Sequence, residues 1–180
     1  MILKRALLAF SACSMFLFCS CGGSGGDDTN FLSAHVVDIQ AVDDSLEVGE
    51  GTVVAVDFTF DPFLVFDDGR NVVVTVRLPE GLDYRDNTSE VDGESADREI
   101  GAQVTFCPNS GETFLVYDMD DVDLEGAQNP PGEALARLTL TVDAIGRTSD
   151  GVVARADSDI PDDICSRDFF GDEGVFIDVL

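Results

Sequence analysis

From Phe31 onward, apolar side chains recur at every second position, and a period of two is the mark of strands with one buried face. Between residues 35 and 41 the alternation places Val37 and Ile39 on one face. Val54, Val56, Phe58 and Phe60 then point inward against Asp57 and Thr59, and Val72, Val74, Val76 and Leu78 repeat the pattern. Shorter pieces follow: Ala102, Val104 and Phe106, then Phe114 and Val116. Leu138, Leu140 and Val142 face away from Arg137, Thr139, Thr141 and Asp143, and apolar runs at 152–156 and 175–179 close the sequence. Turn chemistry separates them at Glu47-Val48-Gly49-Glu50-Gly51, Asp67-Asp68-Gly69 and Pro79-Glu80-Gly81. No segment shows a helical stripe. Strands buried on both faces, as in a parallel sheet, would be apolar throughout. The expectation is an all-β chain: one antiparallel β-sandwich of about seven to nine strands over residues 31–180.

The first thirty residues belong to a different category. Met1-Ile2-Leu3-Lys4-Arg5 is a short basic start, and residues 6–18 are almost wholly apolar, which together read as the n- and h-regions of an export signal. The run falls short of the roughly 20 residues a spanning helix needs. Phe18-Cys19-Ser20-Cys21 resembles the lipobox of bacterial lipoproteins, with Phe18 standing where that family usually has Leu. The resemblance implies cleavage after Ser20, a signal peptide at 1–20 and lipidation of Cys21. Cys19 is the rival acceptor, although bulky Phe18 would then precede the cut. Residues 21–30, rich in Gly, Ser and Asp, read as a flexible tether. Gly22 after the acylated cysteine, rather than Asp, implies an outer-membrane lipoprotein by resemblance to the Gram-negative kind. Gly22-Gly23-Ser24-Gly25-Gly26 matches the G-x-S-x-G of serine hydrolases, but that motif has meaning only between a strand and a helix, and neither flank is one.

Charge and missing residue types exclude several chemistries. The formal charge is −26, and becomes −28 once Lys4 and Arg5 leave with the signal. Such a field repels phosphate, so no nucleic-acid partner is expected. No lysine remains after Lys4, which removes a Walker A site, a pyridoxal Schiff base and a Ser-Lys dyad. Tryptophan is absent, so sugar stacking would fall to Tyr84, Tyr117 or phenylalanine. Beyond Cys21 only Cys107 and Cys165 remain, and two cysteines in an oxidising compartment read as one disulfide, the alternative being two buried thiols.

Several segments are similar to a family of bacterial surface Ig-like repeats of unassigned function. Val48-Gly49-Glu50 ahead of the strand at 52–60 looks like that family's strand opening. Val74-Thr75-Val76-Arg77-Leu78-Pro79-Glu80-Gly81-Leu82-Asp83-Tyr84 resembles its "v-d-LP-GL-y" segment, and residues 131–142 resemble its "pGesatltftv" strand. The resemblance covers most of 31–157 and implies an Ig-like sandwich on an envelope protein, here in one copy rather than a tandem array. Gly132-Glu133-Ala134-Leu135-Ala136-Arg137-Leu138 also resembles cohesin-like sandwiches.

The densest carboxylate group is Asp118, Asp120, Asp121, Asp123 and Glu125. Calcium takes six to eight oxygens, so such a loop suits it chemically. An EF-hand is rejected, because its last ligand position falls on Gly132 and Pro130-Pro131 interrupt the loop. The competing reading is a solvated acidic loop, as it is for Asp157, Asp159, Asp162 and Asp163. Phe63-Leu64-Val65-Phe66 and Phe169-Phe170 read either as partner contacts or as segments folded on the core. His35 reads as a strand residue, and Asn87-x-Ser89 matches a glycosylation sequon without implying one in a bacterium. The functional expectation is a lipid-anchored, non-enzymatic envelope protein whose Ig-like domain serves adhesion, structure or protein interaction. It has a membrane partner through its anchor, no cofactor, and a protein or glycan partner that the sequence does not name. The alternatives are a calcium-dependent binding module and, more remotely, a hydrolase built on paired carboxylates around Asp118.

Overall fold

A computed structural model describes residues 34–61, 72–92, 98–119, 128–129, 133–148, 150–157, 164–165, 169 and 171–180. The signal at 1–20, the tether with Cys21, the apolar run at 63–66 and Phe170 lie outside the described residues. Every described element is a strand or a turn. In chain order the strands are β1 (Ala34–Ala41), β2 (Ser45–Leu46), β3 (Gly51–Phe60), β4 (Val73–Leu78), β5 (Leu82–Tyr84), β6 (Glu90–Asp92) and β7 (Arg98–Glu99). They continue with β8 (Gln103–Cys107), β9 (Glu112–Asp118), β10 (Gln128–Asn129), β11 (Glu133–Ala144), β12 (Gly151–Asp157), β13 (Glu173–Phe176) and β14 (Asp178–Val179).

Twelve of these strands make two antiparallel sheets packed face to face, and β2 and β14 form a separate parallel pair. The first runs β1-β3-β11-β6-β7, with β5 and β10 also paired to β11, and the second runs β13-β12-β4-β9-β8. The order β1-β3-β11-β6 opposite β13-β12-β4 reproduces the ABED and GFC sheets of an immunoglobulin-type sandwich. The β8–β9 hairpin is an addition to that plan. It follows the fourth strand of the plan, β6, in the chain yet extends the second sheet beyond β4. The fold is therefore the expected all-β, Ig-like one, and eight of the described strands have four or more residues.

Alternation fills the space between the sheets where the sequence placed it. Val54, Val56, Phe58 and Phe60 of β3, Val74, Val76 and Leu78 of β4, and Leu138, Leu140 and Val142 of β11 are all buried. Each such side chain contributes about 1.5–3 kcal/mol by leaving water. Tyr117 is the largest fully buried side chain among the described residues. Its hydroxyl lies 2.9 Å from Ser89 Oγ, which lies 2.8 Å from the Tyr84 hydroxyl. Tyr117 belongs to the second sheet and Tyr84 to the first, so this chain of hydroxyls ties the two layers across the core.

Four details depart from the alternation. Val37 was expected inward but is 40% exposed, while Val36 is buried, because a β-bulge between Val36 and Asp38 shifts the phase of β1. On β8, Val104 and Phe106 are exposed rather than core. On β9 the core positions are Leu115 and Tyr117, whereas Phe114 and Val116 lie on the outward face. The apolar run at 175–179 is not one strand: β13 pairs with β12, and β14 then turns away to pair in parallel with β2.

Phe114 and Val116 are nonetheless buried, as are Val73 and Thr75 beside them on the same outward face. Two described residues between β12 and β13 lie on this face. Cys165 is disulfide-bonded to Cys107 on that face, and the Phe169 ring meets the Phe114 ring edge-on at 5.4 Å. Asp172, just before β13, is tied to both sheets. Its N–H donates to the Ala154 carbonyl, and its carboxylate accepts from the N–H groups of Val36 and Ala156. That one side chain joins β1 of the first sheet to β12 of the second.

Candidate functional site

The strand directions define two poles. β1 begins at Ala34, opposite Phe60 of β3, which pairs in turn with Ala134 of β11. β11 ends at Ala144, where Leu82 pairs with it and the short connection to Gly151 begins. The second sheet shares this orientation, since Leu78 and Glu112 lie at the same end as Gly151. The chain thus comes in at one pole, and the turns at 47–50, 79–81, 108–111 and 145–150 gather at the other.

A polar cleft of about 280 Å³ lies at this far pole, lined by Pro79, Glu80, Ser110, Glu112, Arg147, Thr148 and Asp150. Three turns shape it. The first needs Gly81, whose φ is +100° and whose position leaves no room for a side chain. A Cβ there would come within 2.8 Å of the Arg147 carbonyl oxygen and 2.9 Å of that of Gly146. Its own carbonyl accepts from the N–H groups of Ile145 and Gly146, pinning the second turn to the first. Below the cleft Arg77 pairs with Glu112 at 3.2 Å and Asp150 at 3.4 Å, and donates to the Gly151 carbonyl at 3.3 Å. Arg85 pairs with Asp143, Arg137 with Asp57, and Arg155 with Asp157. Arg147 alone among the described arginine side chains makes no ion pair, and it is exposed at the cleft wall.

The cleft offers carboxylates, hydroxyls and one unpaired guanidinium, a set able to hold a polar ligand by hydrogen bonds. It does not assemble a nucleophile and base. The chain has one histidine, and His35 sits on β1 near the opposite pole, its ring Nδ1 3.1 Å from Thr59 Oγ1. Ser110 therefore has no imidazole partner.

The sequence-derived sites are distributed as follows. Cys107 and Cys165 are brought together. Asp118 closes β9 at the N-terminal pole, while Asp120, Asp121, Asp123 and Glu125 lie outside the described residues, as do Asp159, Asp162 and Asp163. Asp157 is described, and both it and Asp118 pair with Val73 from opposite sides. Two strand spacings, about 9.5 Å, separate their backbones. Among the described residues no three His, Cys, Asp or Glu side chains group as metal ligands. Phe169 packs on Phe114, the covering role rather than the exposed one. The Asn87-Thr88-Ser89 sequon is structural throughout. Asn87 takes a positive φ of 59° in a turn, Thr88 Oγ1 donates to the Arg85 carbonyl and accepts from Thr141 N–H, and Ser89 is the buried link between two tyrosines. Nothing in the sequence marked Asp172 or the far-pole cleft, because both depend on turns that meet only in three dimensions.

No protein-family model matches this chain, and no curated protein matches it. Among solved structures it is similar to a 35 kDa C-terminal fragment of the major pilin GBS80 of Streptococcus agalactiae, with 10% identity and a TM-score of 0.41 over 68% of this chain and 47% of that one. It is similar also to the group B streptococcus pilus 2b backbone protein, at 11% identity and TM-score 0.40, over 78% and 56% of the two chains. A third likeness is to AvmM, which catalyses macrocyclization in alchivemycin A biosynthesis, at 13% identity and TM-score 0.33, over 67% and 71%. The match thus spans about half the length of each pilin chain. At these values the likenesses carry no argument about function, and the Ig-like assignment rests on the strand order itself.

Proposed function

We propose that this chain is a lipid-anchored envelope protein that holds a non-catalytic Ig-like domain away from the membrane for adhesion, structural or protein-interaction roles. The polarity of the fold is the observation that carries this reading. The chain comes in at Ala34 on one pole, and the turns and polar cleft lie at the other, so a tether preceding Ala34 presents the cleft outward. A filled core supports it as well: Val54, Leu138, Leu140 and Tyr117 occupy the space between the sheets where a buried substrate pocket would have to be. Cys21 is the lipid acceptor in this reading, and Gly22 favours the outer membrane. The test is metabolic labelling of bacteria expressing the full chain with an alkynyl fatty acid, followed by membrane fractionation. Labelled protein in the outer-membrane fraction, with label and membrane association both lost in Cys21→Ala, is the expected result. Unlabelled, soluble protein in the wild type would sink the proposal.

A further inference from the structure

The second sheet ends at β8, whose outer edge no described strand pairs. An open edge recruits other strands unless charge, proline, a bulge or brevity blunts it. The other edges of the two main sheets are managed in these ways: β7 is two residues long, β13 begins with Glu173 and packs against β1, and β1 carries a bulge and gives its Val36 N–H to Asp172. β8 is five residues long, Gln103-Val104-Thr105-Phe106-Cys107, and carries no charge in a chain of which 26% is charged.

The hairpin determines which backbone groups are free. The Cys107 carbonyl accepts from Gly111 N–H at 2.9 Å, closing the four-residue turn 108–111 in which Gly111 has a φ of +74°. Cys107 therefore bonds inward to β9. By the alternation of an antiparallel ladder Thr105 and Gln103 do the same. Val104 and Phe106 point their N–H and C=O groups outward. Their side chains share the face of Leu115 and Thr113 but overhang the first sheet, leaving them 51% and 61% exposed.

We propose that β8 is a self-pairing edge: a second copy of this chain adds its own β8, antiparallel, about a two-fold axis through Thr105. Self-complementarity selects this occupant. In that register Val104 of one copy exchanges both backbone bonds with Phe106 of the other, and Phe106 does so with Val104. Thr105 meets its own counterpart at the close, non-hydrogen-bonded position. Aromatic–β-branched and Thr–Thr pairs are combinations that stabilise sheets, and this strand supplies both to itself. Sliding the register toward the turn brings Pro108, which has no N–H, opposite Val104. The interface is isologous, and so short an edge falls in the weak class below about 1,200 Å². Antiparallel pairing also sends the two N-terminal poles in opposite directions, the arrangement of a contact between facing surfaces.

Sedimentation equilibrium of the full chain in about 0.15 M and about 1 M salt, where the Debye length is about 8 and about 3 Å, tests the pairing. Dimerisation is expected to strengthen with salt, because copies of charge −26 repel while the contact itself is uncharged. Hydrogen exchange at the Val104 and Phe106 amides should slow as protein concentration rises. Val104→Pro removes an outward N–H that no described strand accepts, and Phe106→Lys charges the edge. Each should weaken the dimer ~10-fold or more with the β spectrum retained. A monomer at about 1 mM in high salt overturns the proposal. So does a dimer that salt weakens, or one whose Val104 and Phe106 amides stay unprotected.

Discussion

Breaking the Cys107–Cys165 bond should cost this domain a large share of its stability, and the size follows from where the bond sits. The two cysteines are 58 residues apart in sequence. In the chain-entropy treatment, closing a loop of that length removes freedom from the unfolded chain worth about 4 kcal/mol. For a domain of this size each kcal/mol moves the melting midpoint by about 2–4 °C, so Cys107→Ser/Cys165→Ser should melt roughly 8–16 °C below the oxidised wild type. Circular dichroism melts of wild type with and without reductant, beside the double variant, give the comparison, and the reduced wild type should coincide with the variant. The structure adds a second readout. The bond holds Cys165 on the outward face of the second sheet, where the Phe169 ring packs on Phe114, so releasing it should raise binding of a hydrophobic dye well below the melt. A double variant within about 2 °C of wild type would refute the entropic argument. Unchanged dye binding would show that the Phe169 ring stays on Phe114 without the bond.

Three further outcomes are expected. Asp172→Ala strands the N–H groups of Val36 and Ala156 and should cost about 2 kcal/mol in denaturant titrations, while Asp172→Asn, which keeps an acceptor oxygen, should cost less. Burial, partly opposed by the Ser89 hydrogen bond, holds the Tyr117 hydroxyl neutral well above the ordinary tyrosine range. With the folded value raised, its contribution is complete below the unfolded value near pH 10 and is lost as pH climbs beyond it. Stability measured from pH 8 to 11 should therefore fall at the alkaline end, and less steeply in Tyr117→Phe. Calcium in place of chelator should leave the melting midpoint unchanged. A site half-saturated at one-hundredth of the added calcium would stabilise by about 2.7 kcal/mol, so a rise of about 5 °C or more would make Asp118, Asp120, Asp121, Asp123 and Glu125 a binding site after all.

Sequence periodicity was most legible where a strand has one wet face and one dry face throughout. β3 and β11 are such strands, and their inward residues could be named one by one. It failed where a third element intervened. β9 is buried on both faces, with the Phe169 ring against Phe114 on its outer side, so Phe114 and Val116 carried the same apolar signal as true core residues. β8 failed in the opposite sense: Val104 and Phe106 alternate like core residues, but the opposing sheet stops short of them. The one-residue bulge at Val37 is invisible to any pattern of fixed period. The cysteine pair was readable because only two thiols remain beyond Cys21. The far-pole cleft was not, since Glu80, Ser110 and Arg147 come from three turns distant in sequence.

The placement of Ala34 at one pole and of the exposed turns at the other has a mechanical consequence. Tension between a tether at Ala34 and anything gripping the far turns runs parallel to the strands. β1 is bonded to β3 at seven paired positions, from Ala34 opposite Phe60 to Ala41 opposite Val54. Ladder bonds lie perpendicular to the strands, so this load shears them together instead of peeling them one after another. The first strand would thus act as a clamp whose resistance is set by how many bonds must fail at once, with Asp172 fastening it across to β12.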